Sequence, residues 1–519
     1  MQKLLRVPVV STMNTRVSGT NPIPSSSGIV GIGVVGIMVV GQSVDPASKD
    51  ARYLNCFKQT VADEAQDSQI VYCVKRSGLA ASSTPQTGSI GTAIAIWTGS
   101  SAPTSVVEAF GGTNSSIYIG TDRLTTNNTD TTVITGKATS ISETTVSGTA
   151  TLYIPSSDNT GWYYQAGGTL ITGTVTKITD AQFPGNNSKT LAGFGAHMDG
   201  YTFQMDTTGA IWNSDLNSIT SWTATGVINA TVYPDKGVAC MRWKDKIIGF
   251  GTESMEIFYN ASNASGSPLT RIAHMAQRIG AVAADAITSI SDTLFFCGST
   301  PQGGLSIFSL EGQQYGSVGR ISTPELDAIL LLAGAGNIKL TALRDFGLSF
   351  VIVKAGSSQY AYCIEEKFWF VWSTHLGFCR FAGISSGSSQ LSYAVSELVT
   401  TGKLYVINPS SRTFQDDGQA FSARSQLQTV DPGAGAFVSY HEAQVAADVE
   451  SSTSNMSLVW SDDDYVTYSN PRTLDLSSSI PRTWRMGGTR HPRAYAIVHN
   501  ANTPMRVREL RLMVSVGQR

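Results

Sequence analysis

With 519 residues the chain exceeds the roughly 250–300 residues at which one hydrophobic core stops growing, so more than one domain is expected. Only 14% of the residues are charged, against about 25% in an ordinary soluble domain, which points to a surface of small hydroxyl and amide side chains or one covered by partner subunits. A formal net charge of −2 excludes a chain that grips nucleic acid through a basic face, but not one that lines a passage through which DNA slides.

From the N-terminus, the one long apolar run is Gly28 to Gly41, too short for the ~18 residues that cross a bilayer and too far from residue 1 for an ordinary signal peptide. Within it Gly31-Ile32-Gly33-Val34-Val35-Gly36 has the GxGxxG spacing of dinucleotide sites. The residues that follow are β-branched, so the helix that would hold a pyrophosphate is missing, and buried or glycine-bent strand is the expected structure. The six cysteines are scattered without CxxC spacing and the six histidines form no HExxH cluster. No cofactor or metal is therefore expected, and the thiols are read as reduced, buried small hydrophobes suited to assembly in a host cytoplasm.

The middle of the chain repeats one grammar: a short strand, a tight turn carrying Asp or Lys, an aromatic-rich strand, a polar turn and a third strand. The turn aspartates Asp199, Asp245, Asp292 and Asp345 stand 46, 47 and 53 residues apart, the range of a four-stranded propeller blade. Weaker copies at Ser116–Ile119 and Lys403–Ile407 bring the total to about six blades. Strands this short hide both faces by radial stacking, which favours a β-propeller. An insertion at about 125–177, dense in Thr, Asn, Ser and Gly, is expected as a hairpin projecting from the ring. Pro324–Leu332, introduced by Ser322 and Thr323, is the one expected helix.

After Asp431-Pro432-Gly433-Ala434-Gly435 the pattern changes to a last β segment. The expected architecture is all-β: an N-terminal arm and platform segment over 1–85, a propeller over 86–428, and a C-terminal β platform domain over 429–519. From Arg472 to Arg519 there are nine Arg, no Lys, and only Asp475 and Glu509 as acids. Arg472, Arg485, Arg490 and Arg493 are read either as a solvated or paired set within one β domain or as a subunit or adaptor interface, where the guanidinium fork is favoured over Lys. Ser461-Asp462-Asp463-Asp464-Tyr465-Val466-Thr467-Tyr468 resembles the Asp-box of sialidase-type propellers, with Tyr465 in place of its Gly and Tyr468 in place of its Trp.

Taken together, Arg52–Cys56, Trp243–Tyr259, Pro268-Leu269, Arg278–Gly280, Ser289–Leu294, Gly319–Pro324, Trp460–Asp463, Ser469–Arg472 and Trp484–Gly487 resemble the packaged-DNA stabilisation proteins, or tail hub (nozzle) proteins, of short-tailed bacteriophages. The resemblance implies a structural virion protein: a homo-hexameric ring in the phage tail that extends the portal-adaptor channel, retains packaged DNA and conducts it during ejection without sequence-specific binding. It implies portal-adaptor ring proteins and a tail needle, plug or fibre as partners, and no catalytic residues. The alternative is a sugar-binding or sialidase-like propeller. As a glycosidase it would need paired carboxylates or a Tyr nucleophile with an Arg cluster for an acidic sugar, for which Asp462, Asp463, Asp464 and the four arginines are the candidates.

Overall fold

The computed structural model describes residues 2–517, apart from residues 9–51, 64–67, 98–104, 121, 127–132, 166–173, 300–302, 313–316, 387–388, 428–436, 464, 479–482, 486–488 and 491–492. The glycine-rich run at 28–41, with its GxGxxG spacing, and the boundary at 431–435 lie outside the described residues. The chain divides into two compact units. Residues 1–78, 360–373 and 413–519 form one, and residues 79–359 and 374–412 form the other.

The second unit is the propeller. Its first blade runs Gly91–Trp97, Ser105–Phe110, Ser116–Ile119 and Asp122–Arg123. The third is Leu191–Met198, Tyr201–Asp206, Ala210–Ser214 and Trp222–Asn229, and the fourth Gly237–Trp243, Lys246–Gly251, Met255–Asn260 and Leu269–Arg271. In the fifth, Gly280–Ala281 and Ile287–Ile290 both pair with Thr293–Ser299, followed by Leu305–Glu311 and Ser317–Arg320. The sixth begins with Ile338–Asp345 and Leu348–Ala355. The seventh is Cys379–Ser386, Ser389–Ser396 and Leu404–Ile407, completed by Ala80–Ser83 from the start of the unit. Consecutive blades pack on one another, and Cys379–Ser386 lies against Gly91–Trp97, so the circle closes.

The second blade is the threonine-rich stretch expected as a projecting hairpin. Ser142–Val146, Thr149–Pro155, Gly161–Gln165 and Thr174–Lys177, with Thr125–Thr126 on the outer edge, form a five-stranded sheet. It has few large apolar residues, but Leu152, Ile154, Trp162, Tyr164 and Val175 are all buried and pack with Trp97, Val107 and Ile119 of the first blade. A strand needs only alternate positions apolar to bury a face, so threonine on the other positions does not weaken the fold.

The turn spacing read from the sequence marks the first hairpin of four blades. Asp199-Gly200 (φ 51° and 81°) and Ser291-Asp292 (φ 51° and 62°) are two-residue turns with both residues left-handed, the twist that suits a tight hairpin. Lys244-Asp245 joins Trp243 to Lys246, with Lys244 left-handed. In the sixth blade the turn is Phe346-Gly347, and Asp345 is the buried last residue of the strand before it. Between blades lie separate apolar clusters, such as Phe203, Met205 and Ile211 with Ile247 and Phe258, or Phe250 and Ile257 with Leu294 and Phe296. Each fully buried aliphatic side chain contributes about 1.5–3 kcal/mol, so the ring is held by its seams. The helix runs Pro324–Ala333 with Thr323 as N-cap, its hydroxyl accepting from Leu326 N at 3.3 Å.

The first unit gathers both chain ends. Strands pair in the order Cys56–Asp63, Ser68–Lys75, Arg506–Gly517, Phe437–Ala447 and Thr483–Arg485. Gln2–Pro8 also pairs with Arg506–Gly517, and Thr489–Arg490 with Phe437–Ala447. A second run pairs Phe368–Trp372, Tyr53–Leu54, Ala423–Gln426, Ala494–His499, Asn455–Ser461 and Arg472–Asp475. Segments 360–373 and 413–427 group with the chain ends, and residues 80–83 with the propeller.

Candidate functional site

Three of the four arginines singled out from sequence, Arg485, Arg490 and Arg493, lie around the strand Phe437–Ala447. Arg493 is 2% exposed and binds Asp462 bidentately, Nε to Oδ1 at 2.6 Å and Nη2 to Oδ2 at 3.0 Å, with its guanidinium over the rings of Tyr440 and Trp460. The guanidinium so enclosed belongs to the core of its unit, while its partner Asp462 is exposed. Arg485 and Arg490 lie in short strands beside Phe437–Ala447, opposite Glu442 and Val438. Arg472 is exposed at the start of Arg472–Asp475, the last strand of the other run.

The Asp-box-like segment is a turn clamp. Asp463 Oδ1 accepts from Thr467 N (2.8 Å) and Ser461 Oγ (2.8 Å), and its Oδ2 accepts from Thr467 Oγ1 (2.5 Å). The Thr467 hydroxyl, with the Thr467 amide and Ser461, holds this carboxyl down at about 2. Tyr465 stands where the motif has glycine and keeps the left-handed conformation (φ 65°). It is anchored by its amide to Ser461 Oγ and by its hydroxyl to Leu427 O, both at 2.8 Å. Of the acids offered for glycosidase chemistry, Asp462 is tied to Arg493, Asp463 is an ionised clamp, and Asp464 lies outside the described residues.

The same clamp recurs in the propeller, where sequence reading missed it. Asp206 Oδ1 accepts from Thr208 N (2.8 Å), Thr208 Oγ1 (2.6 Å) and Ala210 N (3.1 Å), while Oδ2 accepts from Trp212 Nε1 (3.0 Å). Asp158 accepts from Thr160 N (3.2 Å) and Thr160 Oγ1 (2.6 Å), and Trp162 Nε1 donates to that hydroxyl (2.8 Å). The legible signal was Asp-x-Thr-Gly followed by Trp, present at Asp158–Trp162 and Asp206–Trp212.

Two buried charge clusters were also missed. In the propeller Lys339 binds Glu397 (2.5 Å) and Asp285 (3.3 Å), and Arg380 binds Asp285 (2.9 Å) and Glu397. Burial alone would raise the Asp285 carboxyl, but the Arg380 and Lys339 charges hold it below the usual carboxylate range. In the other unit Arg76 is fully buried and makes five bonds: Nε to Asn55 Oδ1, Nη1 to Ser77 O and Asp416 Oδ1, and Nη2 to Ser373 O and Asp416 Oδ2. Its guanidinium lies between the Trp372 and Phe421 rings. Beside it Lys75 donates to Ala501 O (2.7 Å), and burial, with the neighbouring Arg76 charge, lowers its ammonium to about 7.

Among the described residues no group of three or more His, Cys, Asp or Glu is placed to hold a metal ion, and no helix is long and apolar enough to cross a membrane. All six cysteines are buried and free, and burial raises the Cys240, Cys297 and Cys363 thiols to about 12. What the described residues build is scaffold: clamped turns, packed seams and internally neutralised charge.

A circle of antiparallel sheets closed by a strand from its own beginning defines a β-propeller. The chain belongs to the family described as bacteriophage P22 Gp10, beta-propeller, whose model matches residues 115–384, more than half of its length; it is a phage stabilisation protein. No curated protein matches it. Among solved structures it is similar to Raptor of Chaetomium thermophilum, at 10% identity and a TM-score of 0.39 over 65% of this chain and 29% of that one. It is also similar to an exo-β-1,3-galactanase of Phanerochaete chrysosporium, at 9% identity and a TM-score of 0.28 over 75% of this chain and all of that one. The chain thus spans less than a third of the Raptor chain.

Proposed function

We propose that the chain is the nozzle, or hub, subunit of a short phage tail: six copies form a ring that prolongs the portal-adaptor channel, retains packaged DNA and conducts it during ejection. The observation that carries this reading is the family match across the blades. The near-neutral charge suits a wall along which DNA slides, because phosphate neutralisation by many cations would hold the polymer through counterion release. In this reading the unit built from the chain ends is the platform that meets the adaptor ring, a needle, plug or fibre closes the far end, and the protein resides in the virion after assembly in the host cytoplasm. No catalytic group is required, since contact area spread over a closed ring resists the pressure of packed DNA.

The test is assembly. Purified chain is mixed with portal and adaptor, and the products are sized and imaged. A ring of six on the adaptor is expected, and a monomer that never joins the complex would overturn the proposal. Arg485→Ala with Arg490→Ala should leave the melting temperature unchanged while weakening ring or adaptor docking. Arg493→Ala should instead destabilise its unit, because it removes a buried guanidinium packed on Tyr440 and Trp460.

A further inference from the structure

The propeller's axis is stopped at one end. The short turn Ala284–Ala286 of the fifth blade reaches both the third and the sixth. It comes so close to Gly193 of the third that a Cβ there would lie 2.8 Å from the Ala284 side chain. Asp285 on this turn pairs with Lys339 of the sixth blade and, past it, with Arg380 of the seventh. The Asp285–Arg380 pair joins two blades that are not neighbours and so crosses the axis where it lies.

The first strands of the second, third and fourth blades line an open cavity of about 470 Å³, within the ~300–1,000 Å³ of small-molecule sites. Its lining includes Ser142, Glu143, Thr144 and Thr145 of one strand, with Asp199 and Arg242. Half-buried Phe194 and Met241 supply apolar surface. His197 is locked between Ser142 Oγ (2.9 Å) and Thr202 Oγ1 (3.0 Å), which fixes the strand bearing the hydroxyls. Arg242 spends Nε on Lys244 O (2.8 Å), and its two terminal nitrogens have no hydrogen-bond partner among the described residues. Asp199 accepts at Oδ2 from Asn260 Nδ2 (2.9 Å).

We propose that this cup binds an uncharged saccharide segment. The Asp199 carboxylate offsets the Arg242 guanidinium, so the cup has no surplus of positive charge to hold phosphate or an acidic sugar. Planar charged acceptors and donors side by side match vicinal hydroxyls, forming the stronger charge-assisted hydrogen bonds, while Phe194 and Met241 suit the C–H face of a sugar ring. The cup lies within one chain, so this binding does not depend on the ring proposed above, and the isolated full-length protein suffices to test it.

The experiment probes that protein with an array of neutral and acidic bacterial polysaccharide fragments, then measures affinity for the best binder in two variants. Arg242→Ala removes the free guanidinium. Asp199→Asn removes a charge but keeps a residue that tolerates the turn's left-handed backbone. Neutral fragments should bind, and each variant should weaken binding about tenfold or more, the scale of one lost charged hydrogen bond, with the melting temperature unchanged. Absence of neutral binders, preference for acidic fragments, or affinity untouched by both substitutions would overturn the proposal. Failure here would leave ring assembly intact, and failure of ring assembly would leave the array result intact.

Discussion

Asp416→Asn tests how the unit built from the chain ends is held together. In the native protein Asp416 takes two bonds from Arg76, at 3.1 and 2.6 Å, and its charge also acts on the buried Lys75. Removing its charge leaves Arg76 clasped between Trp372 and Phe421 with only neutral acceptors at Asn55, Ser77 and Ser373. Breaking a buried pair in this way costs about 3–5 kcal/mol, because one charge stays buried without compensation. Replacing both partners, Arg76→Met with Asp416→Leu, removes both desolvation penalties and should cost much less than either single change. The assay is a double-mutant cycle in urea, with tryptophan emission reporting this unit through Trp372. A single substitution costing under about 1 kcal/mol, or a double mutant as unstable as the sum of the singles, would refute the reasoning.

The buried histidines make the fold acid-sensitive. Burial lowers His197 and His499 to about 3, so between pH 6.5 and 3 the unfolded chain takes up protons that the folded one refuses, and stability falls with pH through that window. At pH 5 each should cost about 2 kcal/mol, checked by melting temperatures of the wild type against His197→Gln. Lys75 acts in the next window: folded it releases its proton near 7 and unfolded near 10.5, so stability should climb as pH rises from 7 to 8.5, and Lys75→Met should flatten that slope. Above that range the raised thiols of Cys240, Cys297 and Cys363 work in the opposite direction. Asp206→Ala removes four accepted hydrogen bonds and orphans Trp212 Nε1, for an expected loss of about 2–3 kcal/mol by denaturant titration.

Local pattern carried the fold further than the sites. The spacing of Asp199, Asp245, Asp292 and Asp345 located four first hairpins because tight turns have strict residue demands, and the helix was legible from Thr323 and Pro324 for the same reason. The second blade was misread because its strands bury one face behind threonines, so that Leu152, Ile154 and Trp162 look sparse in a count of apolar residues. Arg76 and Asp416 meet across 340 residues, and Lys339 meets Glu397 from a different blade; no periodicity announces such partners. For Arg493 the reading as a paired arginine within its β domain fits the structure, but its partner Asp462, 31 residues earlier, was not legible in the sequence. The departure of Tyr465 from the Asp-box glycine was visible, but the anchor that permits it, Leu427 O, was not.

The strand Ala80–Ser83 has a consequence in time. It pairs with Leu404–Ile407, so the last blade lacks its outer strand until both ends of the unit exist. On a ribosome adding about 5–20 residues per second, the first of these strands waits on the order of 15 to 60 s for the second. Until then two strand edges are open to other nascent chains, and the high sequence separation of the final pairing makes it a slow step. Closure of the propeller is therefore paced by this long-range pairing, and a host chaperone that shields unpaired edges would act on the unclosed wheel.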